Sequence, residues 1–212
     1  MSRRIRGLAL VAALVTACAT WSHVSCSPDS PPVGAVLDAI ERLVEVHKPK
    51  EGAAIRDAAF VCRQDTHLGS EPGGPLTEQK HCAFVIAAFR CAQTQQWPRC
   101  LANLEHGSGV TTPDDPGPAF PYSNTWPDIP CGIFTAHEML DFIQVRLNGP
   151  GGPPPGGPLH LKVTQAITKC LGLTCLMPPE PAHCLFVRNA FIEAAKPVPN
   201  WAYVASELEH MP

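Results

Sequence analysis

Residues 81–92 read HCAFVIAAFRCA, and residues 183–194 read HCLFVRNAFIEA. Seven of the twelve positions agree: His, Cys, Phe, Val, Ala, Phe and Ala. The agreement extends in both directions. Downstream, Trp97 is followed by Leu104-Glu105-His106, and Trp201 by Leu208-Glu209-His210, at the same spacing. Upstream, Ile55, Ala58, Ala59 and Cys62 correspond to Val163, Ala166, Ile167 and Cys170. Further upstream, Leu37-Asp38-Ala39-Ile40 corresponds to Leu140-Asp141-Phe142-Ile143. Matches that keep one order along the chain point to duplication of a module.

The module reads as helical. Val33, Val36, Leu37, Ile40, Leu43 and Val44 recur at the spacing that lines one face of a helix. Ser30 is the expected cap of this helix, with Pro31 at its first position. In the second copy, Thr135 and Glu138 have the spacing of a capping box, and Phe134 and Met139 that of a hydrophobic staple. A second helix carries Ile55 to Cys62 or Val163 to Cys170. The HCxFVxxAF segment forms a third, and a short fourth follows each tryptophan. Pro49 to Gly52 breaks the first two helices apart; the corresponding break in the second copy is the longer run Gly149 to Pro158. No convincing alternating strand is present. The fold class expected is therefore all-α: two tandem homologous disulfide-stapled bundles of three to four helices each. The first unit is assigned to residues 20–106 and the second to 131–212. A proline-rich linker, 107–130, joins them.

Residues 1–19 have the layout of a signal peptide. Arg3, Arg4 and Arg6 precede a short apolar stretch, Leu8 to Val15, and Ala17-Cys18-Ala19 offers a small-residue cleavage site. The apolar stretch is too short to span a bilayer, and no later one is long enough. Export to the extracellular space is the expected localisation. The alternative is a membrane-anchored bacterial lipoprotein, because Val15-Thr16-Ala17-Cys18 also fits a lipobox with Cys18 as the lipidated residue. The sequence contains no Asn-x-Ser/Thr sequon.

The chain has ten cysteines, and beyond Cys18 they favour disulfides over metal ligands in an exported protein. Cys26, Cys62 and Cys82 have counterparts in Cys131, Cys170 and Cys184, whereas Cys91 and Cys100 face Glu193 and Val204. Cysteines that occur together in one copy only suggest a Cys91–Cys100 bridge. Antiparallel first and second helices suggest Cys131–Cys170 and, by symmetry, Cys26–Cys62. Cys175–Cys184 then completes the second unit. Cys82 is left as the expected odd thiol, buried or available for a disulfide-linked dimer.

Chemical signatures are absent. Gly107-Ser108-Gly109 lacks the strand and helix of a nucleophile elbow. His137-Glu138 does not extend to HExxH, since residue 141 is Asp141, and there is no P-loop or GxGxxG. A catalytic thiol is not indicated where cysteines recur as a framework. His81 with His183 and His106 with His210 belong to the repeat, and Glu105 and Glu209 flank the latter pair. The first two are expected near a helix start and solvated. The last two are expected at helix C-termini, where the macrodipole favours them. No catalytic residue, metal ligand or cofactor is assigned. The spacing Cys82-x8-Cys91-x8-Cys100 is similar to the tail of insect odorant-binding proteins. The Cys-x3-Cys of that family is missing, so no family is assigned.

A net charge of −3 does not suggest nucleic acid or an anionic membrane as a partner. The reading that remains is a secreted, non-enzymatic protein. It would bind a small apolar ligand, lined by Phe84, Phe89, Trp97, Phe186, Phe191 and Trp201, or an extracellular protein partner. The alternatives are a secreted enzyme with an unrecognised site, or a host-defence or toxin-like effector. A cavity walled by these aromatic residues would favour the ligand. A solid core with an exposed apolar patch would favour the protein partner.

Overall fold

The computed structural model describes residues 26–27, 30–64, 78–106, 112–117, 130–172 and 181–210. The expected signal segment, Cys18 and Cys175 lie outside them. The described residues are mostly helical. Helices α1 (Val33–His47), α2 (Gly52–Gln64), α3 (Glu78–Gln93) and α4 (Trp97–Glu105) make up the first half. Two short strands, β1 (Pro130–Cys131) and β2 (Phe134–Thr135), pair antiparallel and lead into the second half. That half consists of α5 (Ala136–Asn148), α6 (Pro158–Leu171), α7 (Pro181–Ala195) and α8 (Trp201–Glu209).

The apolar stripes form these helices and bury them. All six stripe residues of α1 are buried. In α5, the Thr135 hydroxyl accepts the Glu138 N–H at 3.0 Å, and the Glu138 carboxylate accepts the Thr135 N–H at 2.8 Å, which completes the capping box. Both staple residues, Phe134 and Met139, are buried. Proline sits at the start of α6, where its missing N–H has no partner to lose. The start of α1 differs from expectation. Its N-cap is Pro32, with no side-chain cap. The Ser30 hydroxyl instead accepts the N–H of Ile133 at 3.1 Å, so it ties the two halves together.

The first helix of each half packs on the second and third, and the fourth packs on the second and third. The two halves meet where α1 lies against α5 and α7, and one hydrophobic core runs through both.

The disulfides are Cys26–Cys82 and Cys131–Cys184. They join counterparts of the repeat, but the pairing differs from the one the spacing suggests. Cys82 is bridged within the chain, so it is not the odd thiol and offers no bond to a second chain. Cys26 does not pair with Cys62, Cys131 does not pair with Cys170, and Cys184 does not pair with Cys175. The reason is the direction in which the end of the second helix looks. Cys170 is buried toward α8, with its S–H directed at the Leu208 carbonyl at 3.8 Å, and Cys62 is likewise packed in the core. The segment ahead of each first helix therefore meets the start of the third. Cys91 and Cys100 are buried thiols with no bond between them.

Candidate functional site

The six aromatic residues expected to line a ligand cavity are placed as packing. Phe89 and Phe191 are completely buried and meet edge-on at a ring separation of 5.8 Å. Phe134 and Phe142 join them, at 5.2 Å from Phe89 and 4.9 Å from Phe191 respectively. This cluster is the centre of the joint between the halves, where offset and edge-to-face rings fill space densely. Phe84 stacks on His106 at 4.9 Å, and half-buried Phe186 stacks on His210 at 5.4 Å. Trp97 lies against His47, while the Trp201 indole donates to the Gly151 carbonyl at 2.8 Å. Each tryptophan thus covers the break between the first two helices of its own half.

The histidines follow the helix ends in part. His106 and His210 are the C-cap residues of α4 and α8, with ring nitrogens on the carbonyls of Leu104 and Ser206. His81 is not solvated as expected: it is 5% exposed, and its ring sits edge-on to His106 at 5.0 Å. His183 is half-buried. Among the described residues, no group of three or more His, Cys, Asp or Glu side chains is arranged to hold a metal ion.

A buried polar network joins the halves beside the phenylalanines. Glu138 is completely buried, and its carboxylate accepts from Arg90 Nε at 2.9 Å. Arg90 donates as well to Asp115 at 2.9 Å and to the Ile133 carbonyl at 3.1 Å. Its guanidinium stays firmly charged: burial opposes the charge, but Glu138 and Asp115 outweigh it. Next to Asp115, Asp114 exchanges two backbone hydrogen bonds with the Asn103 side chain and pairs with Arg99. Asp114 also presents its carbonyl to the Cys91 thiol at 3.6 Å. Residues 112–117, inside the expected linker, are therefore anchored onto α3 and α4. Burial pushes the Cys91 thiol up to about 11 and the Cys100 thiol up to about 12. Such thiols are poor nucleophiles at neutral pH, and the network has the satisfied geometry of a structural brace.

One open surface lies along α2, and further exposed apolar side chains stand in the second half at Leu161, Leu185, Val198 and Tyr203. A hollow of about 400 Å³ opens at the α1–α2 turn, between Lys48, Pro49, Gly52, Ala53 and Arg56, with Glu45 and Pro150 at its edge. None of the six aromatic residues lines it. One to two turns along the same helix, Phe60 and Val61 stand 58% and 66% exposed. Ala53, Arg56, Phe60 and Gln64 are spaced to share one solvent-facing side, so hollow and phenylalanine lie on one surface. The positions corresponding to Phe60 and Val61 in α6 are Thr168 and Lys169, both also exposed. The same two solvent positions are thus apolar in one half and polar in the other. The sequence carries this surface only as a disagreement between the two copies, Phe60-Val61 against Thr168-Lys169, and not as a motif. No family model, curated protein or solved structure matches the chain.

Proposed function

We propose that the protein is a secreted, non-enzymatic binding module, built by duplication of a four-helix unit, that recognises an extracellular protein partner through the outer surface of α2. The observation that carries the reading is the exposed Phe60-Val61 pair, set where the corresponding helix presents Thr168-Lys169. Helix packing does not require an apolar residue at either position, since α6 does without one. A phenylalanine more than half exposed next to a hollow offers a partner both an apolar contact and a socket. The aromatic residues that would have held a small apolar ligand are spent on the core instead, which favours a protein partner over that ligand.

Duplication is supported by the recurrence of four helices, the same principal packings and two bridges between corresponding cysteines. Secretion is supported by the layout of residues 1–19 and by the two disulfides, which persist in oxidising compartments. No helix among the described residues is long and apolar enough to cross a membrane.

The test transplants the polar surface. A Phe60→Thr, Val61→Lys variant carries the α6 residues at the α2 positions and should fold as the parent does. A photo-crosslinking residue at position 64 of the parent should trap a partner from extracellular fluid, and the double variant should trap none. A crosslinker at position 165 of α6 serves as the control. Equal trapping at 64 and 165, or trapping that survives the double substitution, would refute the assignment.

A further inference from the structure

Two cations, Lys48 and Arg56, line the hollow at the α1–α2 turn, and both are exposed. The charges around them pair with one another: Arg42 with Glu41 and Glu45, Lys50 with Glu51, and Arg63 with Asp38 and Glu41. Among the described residues, no carboxylate pairs with Lys48 or Arg56. Glu45 also lines the hollow, but Arg42 holds its carboxylate. Asp57 is exposed too; one step along the helix turns it about 100° from Arg56, and it is not in the lining. Neither cation is required by the fold. At the offset of the repeat, Lys48 corresponds to Gly151 and Arg56 to Thr164. Gly151 takes the left-handed conformation, at φ +80°, without steric cost. Lys48 takes it as well, at φ +51°, where its Cβ is unfavourable and glycine is the usual residue after a helix. The first copy thus holds a strained lysine at the hollow where the second copy has an unstrained glycine.

We propose, resting on the assignment of the outer face of α2 to a protein partner, that the hollow receives a carboxylate side chain from an extended acidic segment of that partner. Phe60 then takes an apolar residue of the same segment. A guanidinium matches a carboxylate with two parallel N–H···O bonds, and the Lys48 ammonium adds a second positive charge from the α1 side. On an open face such pairs contribute little. Here Val44, Pro49, Ala53 and Pro150 also line the space, which at about 400 Å³ has room for a whole side chain. Walls of this kind exclude water from part of the pair and strengthen it. The same two cations repel a basic segment, so they select as well as attract. The spacing sets the pattern. From Arg56 to Phe60 is four residues, about 6 Å along the helix axis. Residues i and i+2 of an extended chain share one side and stand about 6.6 Å apart. A strand laid along α2 therefore places a carboxylate at Arg56 and an apolar side chain at Phe60 when a single residue separates them, in either chain direction.

The experiment selects phage-displayed random peptides on the immobilised protein. Peptides recovered by the unaltered protein should carry Asp or Glu two positions from Leu, Ile, Phe or Trp about threefold more often than the unselected library. The variant Lys48→Glu, Arg56→Glu reverses two exposed charges and leaves the core as it is. It should lose those peptides and recover others with Lys or Arg in the acidic position. Lys48→Gly removes one charge and relieves the backbone. It should raise Tm by about 2 °C and bind a recovered peptide, made synthetically, about fivefold more weakly. No recovered peptides, no excess of acidic residues among them, recovery of the same acidic peptides by the charge-reversed variant, or undiminished binding by Lys48→Gly would each overturn the carboxylate pocket. Apolar peptides without an acid that bind the charge-reversed variant but not Phe60→Thr, Val61→Lys would overturn the pocket while leaving the α2 face in place, which separates the two failures.

Discussion

Glu138 offers the sharpest test of how the halves are joined. Its two oxygens serve three donors: Arg90 Nε at 2.9 Å on one, and the Thr135 N–H at 2.8 Å and hydroxyl at 3.3 Å on the other. In Glu138→Gln one oxygen becomes an NH₂ group. Whichever way the amide turns, it meets either Arg90 or the Thr135 N–H donor to donor. Removing one partner of a buried ion pair costs about 3–5 kcal/mol, because the other charge stays behind. Here Arg90 keeps Asp115 and the Ile133 carbonyl, so about 3 kcal/mol is expected, near the low end. For a chain of this size that lowers Tm by about 6–12 °C. Arg90→Met should cost more, about 4 kcal/mol, because it leaves the Glu138 carboxylate completely buried with only the cap donors. The double variant Arg90→Met, Glu138→Met leaves neither charge stranded. It should fall short of the sum of the singles by about 2 kcal/mol or more. Urea unfolding followed by both tryptophan fluorescence and circular dichroism measures all three. A single substitution costing less than about 1 kcal/mol, or costs that simply add, would show that the network does not act as a unit.

Three further expectations follow from the same geometry. The bridges Cys26–Cys82 and Cys131–Cys184 span 56 and 53 residues, so opening either by Cys82→Ser or Cys184→Ser should cost nearly the same, about 4 kcal/mol, by chemical denaturation; unequal losses, or other pairings in a non-reducing peptide map, would contradict the framework. Burial raises the Asp141 carboxyl above its ordinary 3.8, with His137 opposing the rise. A carboxyl raised by folding binds its proton better in the native state, so its penalty is absent below pH 3.8 and present once pH has risen through the native value. Asp141→Asn should therefore raise Tm at pH 7, and that gain should fade as the pH falls toward 3.8; a gain that is constant with pH would refute the cause. Cys91 and Cys100, with thiols pushed up to about 11 and 12, should resist alkylation at pH 8 in the native protein and label fully in urea, as read by mass spectrometry.

Most local features were legible in the sequence, the Ser30 cap excepted because its hydroxyl is taken by the Ile133 N–H, and the long-range pairings were not. The capping box of Thr135 and Glu138 was visible because its partners stand three residues apart and the backbone needs them there. The breaks at Pro49–Gly52 and Gly149–Pro158 were visible because proline and glycine terminate helices by their own stereochemistry. The helical end positions of His106 and His210 were readable for the same reason. The partner of Glu138 was not, since Arg90 lies 48 residues away and nothing local marks the pair. Disulfide pairing failed in the same way. Two helix ends compete for each first cysteine, and only the rotation of α2 and α6 about their axes decides between them. The candidate surface on α2 was hidden as well. Phe60 and Val61 carry the composition of a core, and exposure is a property of the packed helix, not of the residue.

The two bridges also divide the chain into segments that respond differently to cutting. Each closes a covalent ring, from Cys26 to Cys82 and from Cys131 to Cys184. A protease that nicks the Gly-rich turn between α5 and α6, or the shorter turn between α1 and α2, opens a ring without releasing a fragment. The nicked protein keeps its mass until a reductant is added. A cut within residues 112–117 falls between the rings and leaves two stapled pieces that no disulfide among the described residues links. Those pieces then hold to each other through non-covalent contacts, among them the packing of α1 on α5 and α7, the phenylalanine cluster, the Arg90–Glu138 pair and the Ser30–Ile133 bond. Cleavage there turns one chain into a heterodimer of its own halves, and the lifetime of that dimer measures the joint directly.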